Sequence, residues 1–350
     1  MSAKNVAYVG TYTHGDSKGI YVYDVEEDGR FVEKQVVKIN NPSNITAAAS
    51  GKYLYSISDE GLVAFTIKDD GCLETINSVW TNGMRGCYVK TDSKDRFLFM
   101  GGYHDGKITM MRLNEDGSIG EIADEVYHQG MGNSFSEKST GPHVACVTTT
   151  PDDKYLCAVD CGLSQIRIYD INYETGKLKL FDIYRCPLES EPRRIRFTSD
   201  GRFAYILQQE TNILEILEYT PGEMELFTPV GTVSTTDGEF APSDSVEFRF
   251  SNDEKYIYVS IDGFNAVAIF ERDEATGGLT LVCRSYISGD FPKVVSPLPR
   301  EELFVSLNHD SDEIMTFRIN FEKKYFLMCQ PPIKIEQPNC IRIFNLETRK

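Results

Sequence analysis

Short apolar runs, rich in β-branched and aromatic residues and bounded by turn residues, recur along the whole chain. A 3.6-residue apolar period never persists over a dozen positions. This pattern predicts strands and not helices. The clearest runs come in pairs. KYLYSIS (52–58), RFLFMGG (96–102), KYLCAVD (154–160), RFAYILQ (202–208), KYIYVSI (255–261) and ELFVSL (302–307) are each followed by a polar loop and a second run. The partners are GLVAFTI (61–67), KITMMRL (107–113), QIRIYDI (165–171), ILEILEY (213–219), AVAIFER (266–272) and EIMTFRI (313–319). In all but the last pair a turn ending in glycine comes next: Gly71, Gly117, Gly176, Gly222 and Gly277. Glycine there supplies the positive φ that tight hairpins need.

A proline-led apolar strand precedes most pairs. Pro142, Pro192, Pro242 and Pro292 stand fifty residues apart, and Pro42 and Pro338 extend the series at other spacings. Four strands per unit of roughly 40–50 residues mark a propeller blade, and seven units can be counted. The unit beginning at Ala7 lacks its first strand, whereas the segment 337–343 is a proline-led first strand with nothing after it. The chain is therefore expected to be all-β: a seven-bladed β-propeller of four-stranded antiparallel blades. Residues 1–350 form one domain in this reading. The C-terminal strand joins the N-terminal blade and closes the ring, which hides the edges an open sheet would expose.

Composition narrows the function classes. The net charge is −17 and the isoelectric point near 4.8, which argues against a nucleic-acid or anionic-membrane surface. No apolar run approaches the roughly 18 residues of a membrane span, and MSAKNVAYVG passes directly into a strand without a signal-like apolar region. The expectation is a soluble, cytoplasmic protein, a monomer or weak homodimer. The nine cysteines form no CxxC pair and read as reduced, mostly buried thiols.

In a propeller the first strands line the central channel, so the residues after the anchor prolines ring one mouth. These are Ser43, His143, Arg193, Ser243, Lys293 and Asn339, with Arg85 at the irregular unit. Cations cluster there in an acidic chain, which points to a small anionic ligand, since forked guanidinium donors suit carboxylates and phosphates. Pairing with Asp59, Glu60, Asp160, Asp262 and Glu191 is the competing explanation. The long segment 127–140 before Pro142 is expected to bring His128 and Lys138 to the mouth. Two other patterns carry nothing. Gly101 to Lys107 spells G-x-x-x-x-G-K but continues with Ile108 on a hairpin, and no G-x-S-x-G elbow is present. No cofactor is implied, and the five histidines show no metal-ligand spacing.

The ordered fragments Gly10-Thr11-Tyr12-Thr13, Asn41-Pro42-Ser43, GGYHDG around Tyr103, Gly141-Pro142-His143, Asp160-Cys161-Gly162, Pro192-Arg193 and Phe291-Pro292-Lys293 resemble the lactonase family of seven-bladed propellers. The likeness covers essentially the whole chain. It implies a lactone hydrolase of the 6-phosphogluconolactonase type acting on a phosphorylated or carboxylated sugar lactone. Related alternatives are a muconate-type cycloisomerase, or a non-catalytic propeller binding an anionic metabolite or a protein. The family's polar positions carry over unevenly. Its PHxH is here Pro142-His143-Val144-Ala145, its Arg-Gln is Lys138-Ser139, and its Pro-Arg-His is Pro192-Arg193-Arg194. Its Asn-Glu is Gln208-Gln209, its Ser-Asn-Arg is Ser260-Ile261-Asp262, and its later Pro-Arg and Asn-Gln are Pro292-Lys293 and Asn308-His309. The resemblance implies His143 as base and Arg193 as oxyanion donor. Lys293, Arg194, Lys138, Gln209, Glu210, Tyr103 and His309 are then the substrate-binding set, with no metal among the roles.

Overall fold

The computed structural model describes residues 5–132, 141–238 and 242–349. Seven antiparallel sheets account for nearly all regular structure, and each has a four-stranded path from the ring's axis to its rim. One blade, for example, runs Pro192–Phe197, Phe203–Gln208, Ile213–Tyr219 and Phe227–Ser234 from inside to outside. The blade ending in Tyr325–Met328 also carries the short strand Ile333–Lys334 on Glu313–Asn320. The ring closes as the complementary chain ends require. Pro338–Asn345 is the inner strand of the blade completed by Asn5–Thr11, Gly19–Val25 and Phe31–Lys38, with Tyr8 opposite Arg342 and Val6 opposite Phe344.

Burial explains why the sequence shows apolar runs and not clean alternation. Middle strands such as Tyr155–Asp160, Phe203–Gln208 and Leu303–Asn308 are buried throughout, because neighbouring blades cover both faces of each sheet. The rim strand Lys177–Arg185 is mostly exposed and correspondingly polar. Core clusters then fill the spaces between blades, as where Tyr205, Leu207 and Ile216 meet Phe248, Val259 and Phe270.

One contact recurs between blades. A buried tyrosine on the second strand donates its hydroxyl to the glycine carbonyl of the next blade's outer turn. The pairs are Tyr8 to Gly71 (2.9 Å), Tyr55 to Gly117 (3.1 Å) and Tyr205 to Gly277 (2.6 Å). The glycine is needed twice over. Gly117 has φ +80°, and a Cβ there would lie 2.3 Å from the Tyr53 ring. Burial pushes the Tyr8, Tyr55 and Tyr205 hydroxyls above the ordinary tyrosine range, so they remain donors.

Tyr205→Phe removes one such bond and leaves the Gly277 carbonyl buried without it. Urea unfolding is expected to show a loss of about 1–3 kcal/mol with an unchanged m-value.

Candidate functional site

All inner strands run the same way, so their first residues meet at one channel mouth and their last residues at the other. Several carry a bulge near the start, where the register shifts between Val144 and Cys146, Pro192 and Arg194, Ser245 and Glu247, and Pro292 and Val294. A bulge places two successive residues against one partner residue. This is how Arg193 and Arg194 both reach the same cavity.

That cavity holds about 250 Å³. Its wall combines inner-strand starts with Tyr12 and the Tyr103–His104 loop. Five cations, Arg85, Arg193, Arg194, Arg249 and Lys293, face it with a single carboxylate, Glu247. Glu247 is buried and shared: Arg194 Nε donates to its Oε2 at 3.0 Å and Arg196 Nη2 to its Oε1 at 2.9 Å. Burial acts to raise the Glu247 pKa, but Arg194, Arg196 and Arg249 outweigh it and hold the carboxyl well below the usual range.

Arg193 has no carboxylate partner among the described residues. Its Nη1 donates to Gln209 Oε1 at 2.5 Å, Gln209 Nε2 donates in turn to Asp244 Oδ2 at 3.0 Å, and the buried Arg193 Nε lacks a partner. Lys293 likewise forms no ion pair among the described residues. Its Nζ lies 4.9 Å from the Tyr12 ring centre and 5.4 Å from that of Phe291. Burial, followed by repulsion from Arg193, pushes Lys293 down to about 8. Arg85 differs, since it bonds Asp59 at 2.9 Å. Charge pairing therefore explains Arg85 and Arg194, while Arg193 and Lys293 stay available to a ligand. Cys87 and Cys340 also line the cavity, but burial pushes both thiols up to about 11, which leaves them protonated at neutral pH. All nine cysteines are unpaired.

Of the site residues expected from sequence, Arg193, Arg194, Lys293 and Tyr103 form the cavity wall. Three others stand one layer behind it. His143 stacks on Tyr103, with ring centres 4.5 Å apart and planes 15° apart, and its Nδ1 lies 2.6 Å from the Tyr103 carbonyl oxygen. A carbonyl only accepts, so Nδ1 carries the proton and the Nε2 lone pair is left free. Gln209 holds Arg193. His309 packs edge-on against Tyr12 and Phe291 at 5.6 Å each, and burial, then Lys293, lowers its pKa. Glu210 is exposed and outside the wall, and Lys138 lies outside the described residues.

The expectation that His128 reaches the mouth is corrected. His128 is buried, with Nδ1 2.6 Å from Asp160 Oδ2, because Asp160 is itself buried and needs that partner. Asp160 Oδ1 accepts from the amides of His143 and Leu163, so this carboxylate shapes the loop behind the cavity. Sequence reasoning missed Glu247 and Arg249. The available signal was the two-residue alternation along the inner strands, Arg194/Arg196 and Glu247/Arg249, which puts both members on the channel side.

The fold is that of a seven-bladed β-propeller, a closed ring with a cationic cavity at one channel mouth. Within that class, the chain is a member of the lactonase, seven-bladed β-propeller family, which it matches over residues 6–343. It is 27% identical to the 6-phosphogluconolactonase of Bacillus subtilis over 350 residues, covering 98% of this chain and 99% of the relative. A solved structure from Bacteroides fragilis, described as a candidate 6-phosphogluconolactonase, superposes with a TM-score of 0.89 at 29% identity over 98% of each chain. The periplasmic gluconolactonase of Pseudomonas aeruginosa shares the fold, with a TM-score of 0.89 at 23% identity over 98% of this chain and 99% of its own.

Glu247→Gln is expected to cost about 3–5 kcal/mol at pH 7, since it strands buried guanidinium groups. Because the folded-state pKa of Glu247 is depressed, its contribution is present above the unfolded carboxylate range near 4.3 and is lost as pH falls through the folded value. The gap between wild type and variant should therefore close only in acid, as followed by denaturant titrations across pH. Lys293 has the opposite consequence. Its folded pKa lies below the unfolded value of about 10.4, so the unfolded chain binds the extra proton and wild type gains stability as pH rises from about 8. Lys293→Met should be the more stable protein at pH 7, and its advantage should shrink by on the order of 1–3 kcal/mol towards pH 10.

Proposed function

We propose that the protein hydrolyses the lactone of a small sugar acid bearing a phosphate or carboxylate, the 6-phosphogluconolactone class, in the 250 Å³ cavity. The observation that carries this reading is the wall of five cations and one carboxylate inside a chain of net charge −17. The B. subtilis relative, a 6-phosphogluconolactonase aligned over 98% of the chain, supports it.

The chemistry needs three services: activation of a water, stabilisation of the oxyanion, and a grip on the substrate's anionic group. Water adds to the lactone carbonyl carbon, the ring C–O bond breaks, and the departing alkoxide takes a proton, giving a hydroxy carboxylate. Arg193 is the oxyanion donor, since Gln209 fixes it from behind and its Nε has no other partner. Lys293, which forms no ion pair among the described residues, supplies the grip on the anion, with Arg249 beside it in the wall. His143 is the base in this scheme: the Tyr103 carbonyl holds its proton on Nδ1, so Nε2 can accept one from water.

A second assignment of the base rests on position. Lys293 lies in the wall, His143 lies behind Tyr103, and a lysine pushed down to about 8 has a neutral fraction near physiological pH that can accept a proton.

The test is hydrolysis of 6-phosphogluconolactone, with the spontaneous rate subtracted, across pH. An imidazole base gives a rate that falls about 10²-fold or more in His143→Ala. A lysine base instead gives a rise near 8 that disappears in Lys293→Met. Saturable binding of 6-phosphogluconate with no turnover above the blank would sink the hydrolase reading.

A further inference from the structure

The channel's other mouth opens into a second cavity of about 590 Å³, walled by the last residues of the inner strands and the loops that follow them. Three cations face it: Lys90, Arg196 and Arg342. Their local partners do not neutralise them. The Lys90 side chain forms no hydrogen bond or ion pair among the described residues, and the Arg342 side chain donates only its Nε, to Ile45 O at 3.0 Å. Arg196 uses Nε on Phe248 O and Nη2 on Glu247. Two carboxylates share this wall, but both are engaged elsewhere. Asp92 accepts from Arg96 Nε at 2.7 Å and from the amides of Arg96 and Phe97. Asp153 accepts from Ser93, and Arg96 approaches it at 3.5 Å. Burial, then Arg342 and Arg196, pushes Lys90 down to about 8. The free ammonium is therefore held at a cost that an added anion would relieve. Hydroxyls of Thr46 and Thr148 complete a polar wall beside the cations.

We propose that this second mouth binds a small phosphorylated metabolite, its phosphate held by Lys90, Arg196 and Arg342. The site is separate from the lactone cavity. Between them lies the layer formed by Arg194 over the Tyr88 ring at 4.9 Å and by Glu247. Glu247 touches both sides, one oxygen on Arg194 and the other on Arg196. A guanidinium and an ammonium with unused donors suit a tetrahedral oxyanion better than a lone carboxylate, because several donors can meet separate oxygens.

Inorganic phosphate is the probe, followed by isothermal titration calorimetry on the full chain. Wild type should bind at two sites. Lys90→Met should lose one of them, with at least about a tenfold loss of affinity, while its lactone-hydrolysis kinetics stay unchanged. Lys293→Met should lose the other. A measurement on wild type guards against misfolding of the variant: phosphate should slow acetylation of Lys90 by acetic anhydride, read by peptide mass spectrometry, in both wild type and Lys293→Met. An unchanged phosphate isotherm in Lys90→Met, or no protection of Lys90, would overturn the proposal. So would protection by an acidic peptide but not by phosphate. The phosphate isotherms and the protection of Lys90 do not depend on whether the first cavity turns over a lactone.

Discussion

The buried carboxylate of Glu247 is the constraint on which the channel depends. Arg194 and Arg196 both bond it, and Arg249 adds to the field that keeps it ionised. Without a counter-charge at this depth, side chains brought together on the axis would repel one another in a medium that screens poorly. One carboxylate cannot neutralise the whole axis, however. The cations left over are Arg193 and Lys293 at one end and Lys90 and Arg342 at the other, and the arrangement leaves a positive field where a ligand can reach it.

Ring closure explains why the charges meet at all. Pairing Pro338–Asn345 with Asn5–Thr11 completes the seventh inner strand, so every inner strand delivers its side chains to one axis. The apolar contacts that stabilise this lie between blades, where middle strands are covered on both faces, and three tyrosine-to-glycine bonds each tie one blade to the next. The apolar packing of the fold therefore lies around the site and not in it. A residue such as Lys293, whose burial opposes its charge, can be retained because the scaffold tolerates the cost.

The framework was readable because strands buried on both faces leave continuous apolar runs. The third strands read at 61–67, 107–113, 213–219 and 266–272 coincide with Gly61–Ile67, Lys107–Leu113, Ile213–Tyr219 and Ala266–Arg272. The proline series also led to Arg193 and Lys293, since position after a repeat landmark survives folding. What it could not show was depth. The bulges after Pro192 and Ser245 change which residues point inward by one place, and a bulge leaves no mark in composition. His143 was placed at the mouth by its register, yet the Tyr103 ring stands in front of it. His128 was assigned to the mouth from loop length alone, and the demand of buried Asp160 for a partner drew it inward.

The departures from the family's polar pattern fit one another. Gln209 stands where a glutamate is usual, and its two ends do different work: the oxygen accepts from Arg193 while the amide nitrogen donates to Asp244. A carboxylate could serve Arg193 but not Asp244, because two ionised carboxylates would then face each other at hydrogen-bond distance. Arg194 replaces a histidine, and it reaches past the cavity to the Ala145 carbonyl and to Glu247. Ala145 stands where the second histidine of the pattern would be, and the Arg194 guanidinium contacts its backbone. Arg194→His would give up the Glu247 and Ala145 contacts together, and Gln209→Glu would turn a carboxylate towards Asp244. The arginine and the amide are thus held by contacts that a histidine and a glutamate at these positions would not make.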